Sequence, residues 1–268
     1  MKKIHIILFL FITIISCKND SSQLNLGAIV YFNGDIITMK GNSPVYAEAL
    51  VVKNKKIQFV GSSEEAMKIA GIGHQIINLE GKTLLPGFID GHAHFASFSA
   101  QAIGAKILPP PDAGAKDIAT LISILKAWNT PENRALTGWI FGMGFDDSVL
   151  EEKRFPTKHD LDQVSTEFPI MIIHISGHFA VVNSKALELL MITSETKNPE
   201  GGIIRRENGN EPNGVLEELA AIPYMLKVLN PTTKEAADHF FEAGQEMALS
   251  FGYTTAQEGR AMENHEML

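Results

Sequence analysis

The chain has 268 residues, 45% of them hydrophobic, which suffices for one large core or for a large domain with a smaller companion. Its net charge of −8, with no cluster among its 23 Lys and Arg residues, argues against nucleic acid as a partner. A single cysteine excludes an internal disulfide.

Met1-Lys2-Lys3 is a short positive segment, and Ile4 to Ile15 is an apolar stretch too short for a typical spanning helix. It ends Ile14-Ile15-Ser16-Cys17, which resembles a bacterial lipobox, with a small residue before the cysteine. The expectation is a signal peptide over 1–16 and lipidation at Cys17, giving a cell-envelope protein held in a membrane by acyl chains. Residues 17–25 read as a polar tether.

Residues 26–83 read as a small β module. Ala28 to Phe32, Asn33-Gly34 and Asp35 to Met39 give a hairpin signal, because Asn-Gly suits a type I′ turn. Ala49 to Val52 and Ile57 to Val60, joined by Lys53 to Lys56, predict a second hairpin. Ser62 and Glu65 have capping-box spacing and start a short helix through about Ala70. A strand follows from His74, a residue with a structural role.

Leu84 to Phe95 reads LLPGFIDGHAHF. In a strand, side chains alternate faces, so His92 and His94 point the same way and Ala93 the other. Two imidazoles on one face can supply two nitrogen ligands to a Zn²⁺-like ion, and Gly87, Gly91 and Ala93 leave room around it. The pattern P-G-[FL]-[IV]-D-x-H-x-H resembles the signature of the amidohydrolase superfamily, at the end of the first barrel strand. That resemblance implies that His92 and His94 bind a catalytic divalent metal, as one ion or one of two.

Farther along, Phe95 to Ala105 predicts a loop or short helix. Ile118, Leu121, Ile122, Leu125 and Trp128 recur at helical spacing and mark core. Asp146, Asp147, Asp160 and Asp162 read as surface or capping carboxylates. Pro169 to Ile175 is a fully buried type of strand, in which His174 is a packing residue. It runs into Ser176-Gly177-His178, then to Asn183-Ser184, either of which can cap a helix. This passage is similar to the G-H-x-x-x-x-N-S-x-A-L element of amidohydrolase family 3, the group that includes N-substituted formamide deformylases. A turn-rich stretch with Arg205 and Arg206 reads as a hairpin whose arginines form ion pairs. Thr232 with Glu235 has capping-box spacing for a helix ending at Gly252. Tyr253-Thr-Thr-Ala-Gln-Glu258 reads as another barrel strand, with Glu258 at its carboxyl end. His178 and Glu258 are the candidate substrate-binding residues; His265 reads as loop or helix. Phosphate-loop, dinucleotide and serine-elbow motifs are absent.

The expected fold is α/β: a partial (β/α)8 TIM-type barrel of about three βα units over 84–268, preceded by half of a composite β-sandwich over 26–83. A full barrel takes about 250 residues, more than follow Leu84, so the sequence reads as the N-terminal portion of a longer protein, inactive alone. By resemblance, the shuttle aspartate falls beyond Leu268, and oligomeric state is not legible. The expected activity is metal-dependent hydrolysis of a non-peptide C–N bond in a small amide, such as an N-acyl or N-formyl group, with Zn²⁺ as the cofactor. Two alternatives stay open: a metal-free, inactive substrate-binding envelope lipoprotein, and a metal-dependent deaminase.

Overall fold

The computed structural model describes residues 27–231 and 233–259. The signal segment, Cys17, the tether, Thr232 and His265 lie outside the described residues. The chain divides into two compact units between Pro86 and Gly87.

The first unit contains β1 (Ile29–Ile37), β2 (Tyr46–Lys53), β3 (Lys56–Gly61), α1 (Ser63–Ala70), β4 (Gln75–Asn78) and β5 (Thr83–Leu84). The strands form one sheet in the order β3-β2-β1-β4, and β5 also pairs with β1. The expected hairpin at Asn33-Gly34 does not form. β1 runs straight through these residues, and its pairing with β2 shifts register between Phe32 and Ile36. Asn33 takes the positive φ of 57° that an Asn-Gly pair tolerates, and the irregularity it creates is a bulge rather than a turn. The second hairpin is present as read: Asn54 and Lys55, both at positive φ, close β2 onto β3. Ser62 accepts the Glu65 N–H and caps α1. Val30, Val51, Ala49, Ala66 and Ala70 make a core of mostly small side chains between sheet and helix.

The second unit begins with β6 (Phe88–Ile89), α2 (Phe95–Ile103), β7 (Ala105–Lys106), α3 (Ile118–Trp128), α4 (Pro131–Arg134), β8 (Ile140–Phe145) and α5 (Lys158–Asp162). It continues with β9 (Ile170–His174), β10 (Phe179–Val182), α6 (Ser184–Leu189), β11 (Gly202–Glu207), β12 (Glu211–Glu218), α7 (Ile222–Leu229), α8 (Lys234–Ser250) and β13 (Tyr253–Thr255). Here the expectation of about three successive barrel units needs correcting. Among the described residues, the strands after β6 are not consecutive barrel staves. β6 pairs in parallel only with β13, far along the chain. Between them lies a separate six-stranded sheet, β11-β12-β10-β9-β8-β7, parallel from β7 to β9 and antiparallel beyond.

The reason for the misreading is physical. Both faces of this sheet are covered. Met171 and Ile173 of β9 enter one core cluster with Phe141, Val182 and Leu216. Ile170 and Ile172 enter another with Ile140, Val181, Leu121 and Leu125. A strand buried on both faces is a continuous apolar run in an open sheet and in a barrel alike. Asn183 is fully buried and has every polar atom in use: its Oδ1 accepts the N–H groups of Ile170 and Ala186, and its Nδ2 donates to the carbonyls of Ser165 and Phe168. It therefore caps α6 and ties it to β9.

Candidate functional site

β6 ends at Ile89, so His92 and His94 follow the strand rather than lie in it. The alternation argument thus does not apply to them, yet the backbone still brings the two rings together, 5.4 Å apart between centroids and edge-to-face at 82°. Asp90 helps form the turn, its Oδ1 accepting the His92 N–H at 3.0 Å. Both histidines are exposed.

The segment that follows β13 holds this turn in place. The Asp90 N–H donates to the Thr255 carbonyl, the Gln257 side chain donates to the Gly91 carbonyl at 2.7 Å, and the Gly259 N–H donates to the Ala93 carbonyl at 2.7 Å. Glu258 adds two contacts through its carboxylate, which is only 11% exposed. Oε1 lies 3.3 Å from His94 Nδ1, and Oε2 accepts the Ala96 N–H at 2.9 Å. His94 is the N-cap of α2 and makes no side-chain cap of its own. Glu258 thus supplies an acceptor to the first turn of α2, where a negative charge is favoured. α2 is fixed in turn against α8. Gly244 of α8 approaches so closely that a Cβ there would stand 2.1 Å from Ser99 Oγ, and the Phe95 and Phe241 rings stack at 6.1 Å.

A second histidine cluster sits at the carboxyl ends of β8 and β9. Atoms of Asp146, Asp147 and His174 lie within 4.8 Å of one another, the only such group of three among the described residues. His174 is 9% exposed and packed against the rings of Phe145, Phe155 and Phe179 at 5.2–5.6 Å. This agrees with its reading as a packing residue. The Ser176 N–H donates to His174 Nδ1 at 3.1 Å, and the Ser176 hydroxyl, which can turn to donate as well, lies 2.8 Å from the same nitrogen. The ring proton is therefore on Nε2, facing Asp147 Oδ1 at 3.2 Å. That contact is too poorly aligned to count as a hydrogen bond; Asp146 Oδ1 lies farther off at 3.9 Å, and among the described residues Nε2 has no hydrogen-bond partner. A metal needs the lone pair of the nitrogen it binds, so His174 in this tautomer does not offer Nε2 as a ligand. The Asp146 carboxyl is held below its usual range, first by the Ser148 hydroxyl.

His178 lies in the tight turn before β10, where its Nδ1 meets Glu218 at 2.9–3.0 Å. It is thus in an antiparallel hairpin rather than at the carboxyl end of a barrel strand. Arg205 pairs with Glu217 and lies over the Phe155 ring, while Arg206 donates to backbone carbonyls, including Asn210 at 2.7 Å. Asp160 completes a capping box with Thr157 and takes a two-point contact from Arg154. A groove of about 910 Å³ runs along Ile103, Lys106, Trp128, Glu132, Glu235 and His239, and none of the predicted site residues lines it. Sequence reasoning gave Glu258 a place at the end of its strand but not its contact with His94. That contact joins residues 164 positions apart, and no local pattern encodes it.

The model of the amidohydrolase family matches residues 75–266. The chain is 31% identical over 196 residues to an N-substituted formamide deformylase of Arthrobacter pascens, an alignment covering 72% of this chain and 34% of that protein. It is 28% identical to the putative amidohydrolase YtcJ of Bacillus subtilis (strain 168), covering 80% of this chain and 39% of the relative. Among solved structures, an uncharacterized metal-dependent hydrolase from Pyrococcus horikoshii OT3 is similar at 28% identity with a TM-score of 0.56, over 85% of this chain and 42% of that one. The chain thus spans about a third to two-fifths of the length of these relatives. The match over most of the chain, which includes the segment that brings two histidines together after a short parallel strand, means that this chain belongs to the amidohydrolase family.

Proposed function

We propose that His92 and His94 hold a catalytic divalent metal, Zn²⁺ in the first instance, in a hydrolase acting on non-peptide C–N bonds. The observation that carries this reading is the pairing of the two rings, 5.4 Å apart and open to solvent, with a carboxylate on His94 Nδ1. A carboxylate only accepts, so His94 carries its proton on Nδ1 and keeps the Nε2 lone pair free. The donor chemistry fits zinc, which takes imidazole nitrogen and keeps open positions in catalytic sites. The bound ion supplies a Lewis acid that polarises a carbonyl and makes water nucleophilic near neutral pH.

The chain's own residues do the rest of what can be assigned. Asp90 fixes the turn through the His92 N–H, and Gln257 and Gly259 hold the two flanking carbonyls. His178, at the mouth of its hairpin and paired with Glu218, is available to contact the amide substrate. The formamide deformylase among the relatives supports an N-formyl or N-acyl substrate over a cyclic amidine. Two histidines do not complete a coordination shell, and turnover is expected only when further donors join them. Zinc analysis of the purified 268-residue chain and of His92→Ala tests the reading: the wild type should retain zinc through dialysis and the variant should not. Where further donors complete the shell, a panel of N-substituted formamides and N-acyl amines, read by released amine, formate or ammonia, separates amide hydrolysis from deamination. Equal zinc content in both proteins would sink the assignment.

We also propose that Cys17 carries a lipid anchor, on the strength of the segment before it. Cys17→Ser should move the protein from the membrane to the soluble fraction; a variant that stays in the membrane refutes the anchor.

A further inference from the structure

We propose that Glu258 is a positioning residue for the metal pair: its carboxylate fixes His94 in the Nδ1–H tautomer, while its neighbour Gly259, having no side chain, leaves the His92 ring its place. The inference rests on the reading of His92 and His94 as ligands, but the geometry behind it is separate. Glu258 arrives from the end of β13 and bridges two groups of the other strand's continuation, His94 Nδ1 and the Ala96 N–H. Its backbone forms an isolated antiparallel bridge with His94, which sets the two residues side by side.

A neutral imidazole has one donor nitrogen and one acceptor nitrogen, and the partner of one decides the role of the other. A carboxylate facing Nδ1 makes Nδ1 the donor and leaves Nε2 with its lone pair. Removing such a partner of a metal-binding histidine commonly costs about 10–100-fold in metal affinity. One residue later, the chain passes against the other ring. A Cβ on Gly259 would stand 3.3 Å from His92 Cε1 and 3.0 Å from the Ala93 carbonyl. A side chain there would be tight against both, so a methyl at 259 asks the His92 ring or the Ala93 carbonyl to give by a few tenths of an ångström.

The bland alternative makes Glu258 a helix cap and nothing more, since its Oε2 already serves the first turn of α2. Capping and tautomer control separate by measurement. The probe is Zn²⁺ alone, titrated calorimetrically into the 268-residue chain, with long-range ¹H–¹⁵N spectra of labelled histidine reporting the His94 tautomer in the absence of metal. Wild type should show His94 protonated on Nδ1. Glu258→Ala should populate the other tautomer and weaken zinc binding by about 10–100-fold. Glu258→Gln keeps an oxygen acceptor, so it should restore the tautomer and part of the affinity. Gly259→Ala should weaken zinc binding with the His94 tautomer unchanged. The proposal falls if His94 keeps the Nδ1–H form in Glu258→Ala, or if that variant binds zinc like wild type. If the wild type takes no zinc, the ligand reading of the pair fails, while the tautomer spectra still decide what Glu258 does.

Discussion

Two histidine sites in the second unit look alike on a list of residues and differ in the nitrogen they leave open. His94 is half exposed, and a carboxylate faces its Nδ1. His174 is buried among three phenyl rings, and a backbone N–H donates to its Nδ1. An acceptor at Nδ1 frees the far nitrogen to bind a metal; a donor at Nδ1 forces the proton onto the far nitrogen and points it at Asp147. Proximity of His, Asp and Glu side chains is therefore a weaker criterion for a metal site than the hydrogen bond on the opposite side of the ring. The same comparison separates a site built for exchange with solvent from one built into packing.

Reciprocal substitutions should break this comparison first if it is wrong. His174→Ala removes a ring packed against Phe145, Phe155 and Phe179 and should destabilise the fold by about 3 kcal/mol, in the range for large-to-small core changes. Its zinc affinity should equal that of wild type. His92→Ala and His94→Ala should do the opposite, with zinc binding weakened beyond the ~100-fold typical of losing a supporting residue and stability nearly unchanged. Urea unfolding and zinc titration on the same preparations give both readings. If His174→Ala abolishes zinc uptake, the metal belongs to the cluster at the ends of β8 and β9, and the tautomer argument is wrong.

Asp147→Asn sharpens the comparison with a smaller effect. The Nε2–H of His174 is buried, with the Asp147 carboxylate nearest to it at 3.2 Å and that of Asp146 at 3.9 Å. The amide keeps an oxygen in place but loses the charge, so a loss of about 1 kcal/mol is expected. Chemical denaturation should show it as a lower midpoint at an unchanged slope. Unchanged or higher stability would mean that the carboxylate is a burden there, as a ligand awaiting an ion would be.

Much of this arrangement could be read from the sequence, and the unread part has a common cause. The α3 stripe of Ile118, Leu121, Ile122 and Leu125 is buried as its spacing requires, because helical periodicity is local. The α1 cap at Ser62 and the α6 cap at Asn183 follow from side-chain chemistry within three residues. Asn33-Gly34 failed as a turn because a bulge uses the same positive φ, and pairing with β2 selects between them. β9 does not serve as a barrel stave, because its sequence reports burial on both faces but not which strands adjoin it. The His92–His94 motif was legible as a pair, whereas the tautomers of His94 and His174 depend on Glu258 and Ser176, and only folding places Glu258 there. Long-range partners decide chemistry that short-range patterns only make available.

The smallest test concerns Asp146, which shares the His174 cluster without controlling it. Its carboxyl is held below the usual range first by the hydrogen bond from the Ser148 hydroxyl, against the penalty of partial burial, and then by the Ser148 N–H, the electrostatic influence of His174 and the Val149 N–H. A carboxyl lowered in the folded state contributes stability that is fully present above its unfolded pKa of about 4. That contribution is lost as pH falls through the lower, folded value. Ser148→Ala removes the largest cause and keeps the backbone donors, so it should cost about 0.5–1 kcal/mol at pH 7. The difference from wild type should shrink below pH 4 and vanish once Asp146 is protonated in both states. Urea midpoints of the two proteins, measured from pH 7 down through the acid limb, trace this convergence. A constant gap at every pH would mean that Ser148 acts through packing alone, and that the charge on Asp146 plays no part in holding the cluster around His174.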